Sequence, residues 1–277
     1  MRLDAHQHFW RYDAREYAWI DARMGRIQRD FLPTDLAPEL SRAGLEGCIA
    51  VQARSSEAET EFLLGLARAH PFVRGVVGWV DLQAPDVAER LARLAQDPRL
   101  RGVRHVVQEE PDPDFLARPA FRRGVAALAQ HGLVYDLLIR PHQLPAACRF
   151  AAAFPAQPIV LDHLAKPEIA RGSRQPWERE LRTLAASPNV ACKLSGLVTE
   201  AVWRDWRPVE LAYYLDAALA AFGEERLLFG SDWPVCLVAA EGYAEVLGLV
   251  LDWSERLGPR ARAGLFGGNA ARLYGLA

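Results

Sequence analysis

A chain of 277 residues with 51% hydrophobic content can bury a large core, and no low-complexity tract interrupts it. Its formal net charge of −2 supplies no basic field, so composition excludes the nucleic-acid-binding class and offers nothing to an anionic membrane surface. No apolar run approaches the roughly 18–20 residues of a membrane-spanning helix, and with Met1-Arg2 leading straight into the first strand, export is not expected.

The first strand is expected at 3–9 and carries His6 and His8. Alternation puts residues two apart on one face, so the two imidazoles should emerge together. An aromatic, arginine-rich excursion follows at 11–31 and is expected to fold over whatever the strands build. Further strand-like runs fall at 47–52, 73–81, 100–107, 134–140, 158–163, 190–195 and 227–232. Between them lie helical patterns: one opening near Thr34-Asp35, then 57–69, one around Val87–Ala95, 120–130, 144–153, 178–186, 208–222, 243–257 and a last one after Pro259. Eight strands alternating with about eight helices predict an α/β fold, a single-domain (β/α)₈ barrel of the TIM type over residues 1–277. No glycine-rich turn follows the first strand, which removes the dinucleotide-binding alternative.

Barrels of this kind place chemistry at the C-terminal ends of their strands. His6 and His8 end the first strand, His163 the sixth and Asp232 the eighth. Closing the barrel brings the first and eighth strands together across more than 220 positions. Cys48, Cys148, Cys192 and Cys236 are far apart and mostly within apolar segments; they read as reduced thiols of a cytoplasmic protein. His70, His131 and His142 sit at helix ends or in loops and are expected to be structural, and Trp203 and Trp206 to pack against the barrel.

Six segments carry a resemblance. Asp4-Ala5-His6-Gln7-His8-Phe9-Trp10, Gly102-Val103-Arg104-His105-Val106-Val107-Gln108, Leu161-Asp162-His163-Leu164-Ala165-Lys166-Pro167, Lys193-Leu194-Ser195-Gly196, Phe229-Gly230-Ser231-Asp232-Trp233-Pro234 and Gly268-Asn269-Ala270-Ala271-Arg272-Leu273-Tyr274 resemble, in order and spacing, the amidohydrolase superfamily. Within it they are similar to the amidohydrolase-2 type barrels of the sugar-lactonase branch, which open lactones such as L-fucono- and L-rhamnonolactone. The resemblance implies a carboxylic ester hydrolase of carbohydrate catabolism whose partner is a small-molecule sugar lactone. It also implies that no cofactor is required. A two-metal member would carry a carboxylated lysine on strand 4 and a histidine on strand 5; this chain has neither, so at most one divalent ion, zinc or manganese, is expected on His6, His8 and Asp232.

Opening a lactone needs an activated water, a stabilised oxyanion and a proton for the leaving alkoxide. Asp232 is the expected general base, its pKa raised by burial beside aromatics such as Trp233. His6, His8 and His163 are expected to donate to the carbonyl oxygen. Arg54, His105, Arg140 and Lys193 are the expected substrate-binding groups. Arg104 and His105 face opposite ways on strand 4, and His105, sharing parity with Val103, is expected to face the lumen. Alternative readings are a single-metal hydrolase or a non-oxidative decarboxylase on the same barrel, and a sugar-binding barrel without catalysis. The oligomeric state is left open.

Overall fold

In a computed structural model, residues 1–276 are described. Eight parallel strands, β1 (Leu3–Gln7), β2 (Gly47–Val51), β3 (Val73–Gly78), β4 (Leu100–His105), β5 (Val134–Leu137), β6 (Ile159–Leu161), β7 (Val190–Leu194) and β8 (Leu227–Phe229), form one sheet in sequential order. Helices α1 (Pro33–Ala43), α2 (Glu57–Ala69), α3 (Val87–Leu94), α4 (Pro119–Leu128), α5 (Leu144–Ala153) and α6 (Trp177–Ala185) follow strands one to six. After β7 come the short α7 (Leu197–Glu200) and the long α8 (Pro208–Phe222); after β8 come α9 (Tyr243–Trp253), α10 (Pro259–Ala263) and α11 (Asn269–Leu273). This is the expected (β/α)₈ barrel.

Alternation along the strands divides the core in two. Leu3, Ala5, Ile49, Val51, Val77, Val134, Val160, Ala191 and Leu228 fill the barrel interior, packed with Ala270 and Tyr274 from the C-terminal segment. Residues of the other parity, among them Val76, Val103, Tyr135, Ile159, Leu161 and Phe229, pack against the helices. Inward-facing branched residues in layers are what a barrel of this size requires, because its lumen must be filled.

Two backbone bonds close the ring between β1 and the chain after β8. Asp232 N donates to His6 O at 2.8 Å and His8 N to Trp233 O at 2.7 Å. The same step that completes the barrel therefore sets Asp232 beside both histidines. The β1–β2 register shifts between Asp4 and Gln7. Below that irregularity Leu3 and Ala5 face the interior while Asp4 points outward; above it His6 and His8 take over the inward side.

Strands six and eight end earlier than their sequence suggests. His163, Leu164, Ala165 and Lys166 adopt φ values of 53°, 53°, 59° and 52°, one left-handed turn of four non-glycine residues, and Asp232 has φ 57°. Such residues cost roughly 1–2 kcal/mol each. Buried partners hold the turn: Trp177 Nε1 donates to Leu164 O at 2.7 Å, and Lys166 N to His163 O at 2.7 Å. Strain of this kind gathers where geometry matters to chemistry. The 11–31 excursion crosses the barrel mouth as expected, pinned by paired Trp10–Phe31 backbone bonds at 2.9 Å and by Trp19 Nε1 donating to Ala53 O at 2.8 Å.

Candidate active site

A cleft of about 330 Å³ opens at the C-terminal end of the strands, with His8, Arg104, His163 and Asp232 among its lining and Trp19, Arg54, Gln108 and Lys166 around it. Asp232 is held from behind. The buried Asp4 carboxylate accepts from Ser231 N at 3.0 Å, Ser231 Oγ at 2.6 Å, Tyr243 Oη at 3.0 Å and His6 N at 3.1 Å, so the turn that carries Asp232 cannot swing. Gly230 leaves room for this approach. A Cβ there would stand 2.6 Å from His6 Cβ.

His8 Nδ1 lies 2.8 Å from Val51 O, which can only accept, so Nδ1 carries a proton and, in the neutral ring, Nε2 holds the lone pair. That Nε2 is 3.2 Å from His6 Nε2 and 3.3 Å from Asp232 Oδ1, and the third side of the triangle, His6 Nε2 to Asp232 Oδ1, measures 3.7 Å. Metal bonds of about 2.0–2.1 Å in tetrahedral array would space their ligand atoms roughly 3.3–3.4 Å apart. The triangle therefore fits one divalent cation, and it equally fits one proton on His6 Nε2 donated to His8 Nε2 beside the Asp232 carboxylate. His163 Nδ1 is 2.8 Å from Ser195 Oγ, and its Nε2 lies 3.9 Å from Asp232 Oδ1.

An ionic layer lies beneath. Arg104 Nη1 donates to Asp162 Oδ2 at 3.0 Å and stands 3.5 Å from His6 Nε2, while Nη2 bonds Gln52 O. Lys193 Nζ bonds Asp136 Oδ2 and lies 3.1 Å from Asp162 Oδ1 and 3.2 Å from His6 Nδ1. Tyr274 Oη donates to Asp136 Oδ1 at 2.8 Å, tying the C-terminal segment into the same layer. Two carboxylates and two cations balance here. Burial pushes the Asp136 carboxyl up to about 6, with the Lys193 ammonium opposing and the Asp162 charge adding to the rise. For Asp162 burial is outweighed by Lys193, His6 and Arg104, which hold it well below the usual carboxylate range. Burial lowers both His6 and His163, the latter to about 4, so both imidazoles are neutral at pH 7.

Several expectations need correction. Asp232 is not raised: burial pushes its carboxyl up, but His163, His8 and His6 together hold it well below the ordinary value, and it is ionised throughout the neutral range. His105 does not face the lumen. Val103 belongs to the layer packed against the helices, so its parity mate turns the same way, stacking on Phe115 at 4.8 Å and pairing with Glu110 at 2.7 Å. Arg104 takes the inward position instead. Lys193 is fully buried below the cleft and cannot touch a substrate directly; Arg140 is exposed and lies outside the cleft. His6 is likewise beneath the lining. His8 cannot donate from a lone-pair Nε2, so in its neutral form it is an acceptor. Arg54 does line the cleft, paired with Glu16 and, at 3.0 Å, with Glu59. The ionic layer of Asp136 and Asp162 went unread, although each charged residue interrupts an apolar strand at the inward parity, a signal present in the sequence. Trp203 and Trp206 are half-buried against the core, donating to Thr199 O and Ala239 O, as expected.

A family model described as amidohydrolase matches residues 3–276. The chain belongs to the amidohydrolase family. It is 50% identical over 289 residues to an L-fucono-1,5-lactonase of Burkholderia multivorans, covering 100% of this chain and 96% of the relative. An L-fucono-1,5-lactonase of Burkholderia ambifaria is 43% identical, covering 99% of this chain and 95% of that protein. Among solved structures, an amidohydrolase from Burkholderia multivorans with bound zinc superposes with a TM-score of 0.97 at 49% identity, each chain covered in full. With these the amidohydrolase barrel anticipated from the six sequence segments is established, and no helix among the described residues is long and apolar enough to cross a membrane.

Proposed function

We infer that this amidohydrolase is a lactonase that opens a sugar lactone to the free acid, with L-fucono-1,5-lactone as the leading substrate, since two relatives of that activity match nearly end to end. The observation that carries the chemistry is an ionised Asp232 facing the same cleft as the Arg104 guanidinium and the His163 imidazole. Asp232 accepts a proton from water as the oxygen bonds to the lactone carbonyl carbon. The carbonyl oxygen, becoming an oxyanion, is met by Arg104 and by His163; with Ser195 Oγ donating to Nδ1, His163 presents Nε2–H. One donor of this kind is worth roughly 3 kcal/mol. Collapse of the tetrahedral intermediate breaks the ring C–O bond, and the proton taken from water passes to the alkoxide, leaving acid and hydroxyl on one product. Arg54, Lys166 and Gln108 are placed to receive the sugar hydroxyls.

His6, His8 and Asp232 would hold one divalent ion, zinc or manganese, which when bound supplies Lewis acidity at the carbonyl oxygen. Turnover does not require it in our reading, because Arg104 already presents a fixed positive charge beside His6. Four free cysteines, three of them buried, fit a reducing, cytoplasmic setting. The experiment is a pH-indicator assay over L- and D-aldonolactones, with and without extended chelation. Rapid opening of L-fucono-1,5-lactone that survives chelation is expected. Turnover of no lactone would overturn the function, and activity lost to chelator and restored by zinc or manganese alone would overturn the metal-free chemistry.

A further inference from the structure

We propose that Lys193 is a positioning residue that fixes the tautomer of His6 and thereby weakens the hold of the His6–His8–Asp232 triangle on a divalent ion. The proposal rests on that triangle being one cation site and not on which lactone is opened.

Lys193 is fully buried and its ammonium has three protons to place. Three acceptors surround it: Asp136 Oδ2, Asp162 Oδ1 at 3.1 Å and His6 Nδ1 at 3.2 Å. An ammonium has no lone pair, so the nitrogen it faces on His6 is most favourably the bare one. Asp162 Oδ1 also approaches His6 Nδ1, at 3.3 Å, and alone would favour a proton there. The opposite edge of the ring decides between them. His6 Nε2 faces His8 Nε2 at 3.2 Å, which in the neutral ring is a lone pair because Val51 O holds the proton on Nδ1, and Asp232 Oδ1 at 3.7 Å. A proton on Nε2 is donated to His8 Nε2 and lies in the field of the Asp232 carboxylate. Arg104 Nη1 stands 3.5 Å from the same nitrogen, farther than His8 Nε2 though nearer than Asp232 Oδ1, and its closer bond is to Asp162 Oδ2 at 3.0 Å. The hydrogen bonds then run in one direction, from Lys193 to His6 Nδ1, from His6 Nε2 to His8 Nε2, and from His8 Nδ1 to Val51 O.

A metal ion needs the reverse arrangement. His6 Nε2 would have to give up its proton to become a ligand, Nδ1 would have to carry it, and that N–H would point at the Lys193 ammonium. Metal-bound histidines ordinarily donate their other N–H to a carboxylate or carbonyl. Asp162 Oδ1 is in place to accept it, but Lys193 lies against the same two atoms. The internal cation thus disfavours the metal-ready tautomer, while leaving an unbroken run of hydrogen bonds from Lys193 through His6 and His8 to Val51 O without an ion.

The test is made on the full chain after chelation, labelled with ¹⁵N-histidine. Long-range ¹H–¹⁵N correlation, with His6 assigned by its loss in His6→Asn, is expected to show Nε2 protonated and Nδ1 bare. A protonated Nδ1 overturns the proposal. Zinc affinity, read by competition with a chromophoric chelator, supplies a second measurement. Lys193→Met combined with Asp136→Asn keeps the buried charges balanced and should bind zinc about ten- to a hundredfold more tightly than the parent, the range over which outer partners of metal ligands act. Equal or weaker binding overturns it as well. Should the double variant not fold, the tautomer of the parent still decides. Lactone turnover enters neither readout, so a different substrate would leave this inference standing.

Discussion

Asp232→Asn separates charge from shape at the centre of the site. Asparagine is among the residues that best tolerate a left-handed backbone, so φ 57° at position 232 suits the variant as well as the parent. The Asp4 carboxylate anchors Ser231 and His6, not Asp232, so all four of its bonds survive. The asparagine amide can also donate to the His8 Nε2 lone pair that the carboxylate oxygen now faces at 3.3 Å. The fold should therefore be kept, with a thermal midpoint within a few degrees of the parent. What is lost is the acceptor for the water proton. Removing a positioned general base costs about 10²–10⁴ in rate, or roughly 3–5 kcal/mol of transition-state stabilisation. The assay follows acid release with a pH indicator at saturating lactone, alongside a melting curve. A kcat within tenfold of the parent, in a protein that melts normally, would refute Asp232 as the base.

Arg104→Met should lower kcat by about 10²–10³ with a smaller effect on KM, as for loss of an oxyanion donor, whereas His105→Phe, on the helix-facing side, should leave kcat within about twofold; the opposite ranking would reverse the assigned strand 4 parity. Gly196 has φ +65° and a Cβ there would lie 2.6 Å from His163 Nδ1, so Gly196→Ala should displace the imidazole and cut kcat at least tenfold, and unchanged kinetics would remove His163 from the reaction. For Asp136, whose carboxyl stays protonated in the fold up to about 6 against an ordinary 3.8, the native state binds more protons between those values. Stability contributed by this group therefore falls as pH rises from about 4 to about 6 and is level above; urea titrations across that window should show the slope in the parent and not in Asp136→Asn, and an identical slope in both would discount the shift.

Periodicity in the chain determined the barrel by itself. Helices 57–69, 144–153 and 208–222 match the observed elements end to end because apolar spacing and terminal residues act within one turn of the chain. His6, His8, His163 and Asp232 could be read as one constellation for a similar reason, since a closed barrel admits few ways for strand ends to meet. What the one-dimensional pattern could not contain was direction. Val103 looks equally suited to either face of β4, and only the layer it joins, against the helices, sends Arg104 rather than His105 inward. The shift in β1 that turns Asp4 outward while His6 points in is likewise a matter of pairing with β2, not of local preference. Charge environment depends on the same assembly. Asp232 has an aromatic neighbour in sequence, which suggested a raised pKa, but three imidazoles from two distant strands reach it in space and drive it the other way. Electrostatic energies follow distance through the folded protein, and those distances are set when the tertiary structure closes.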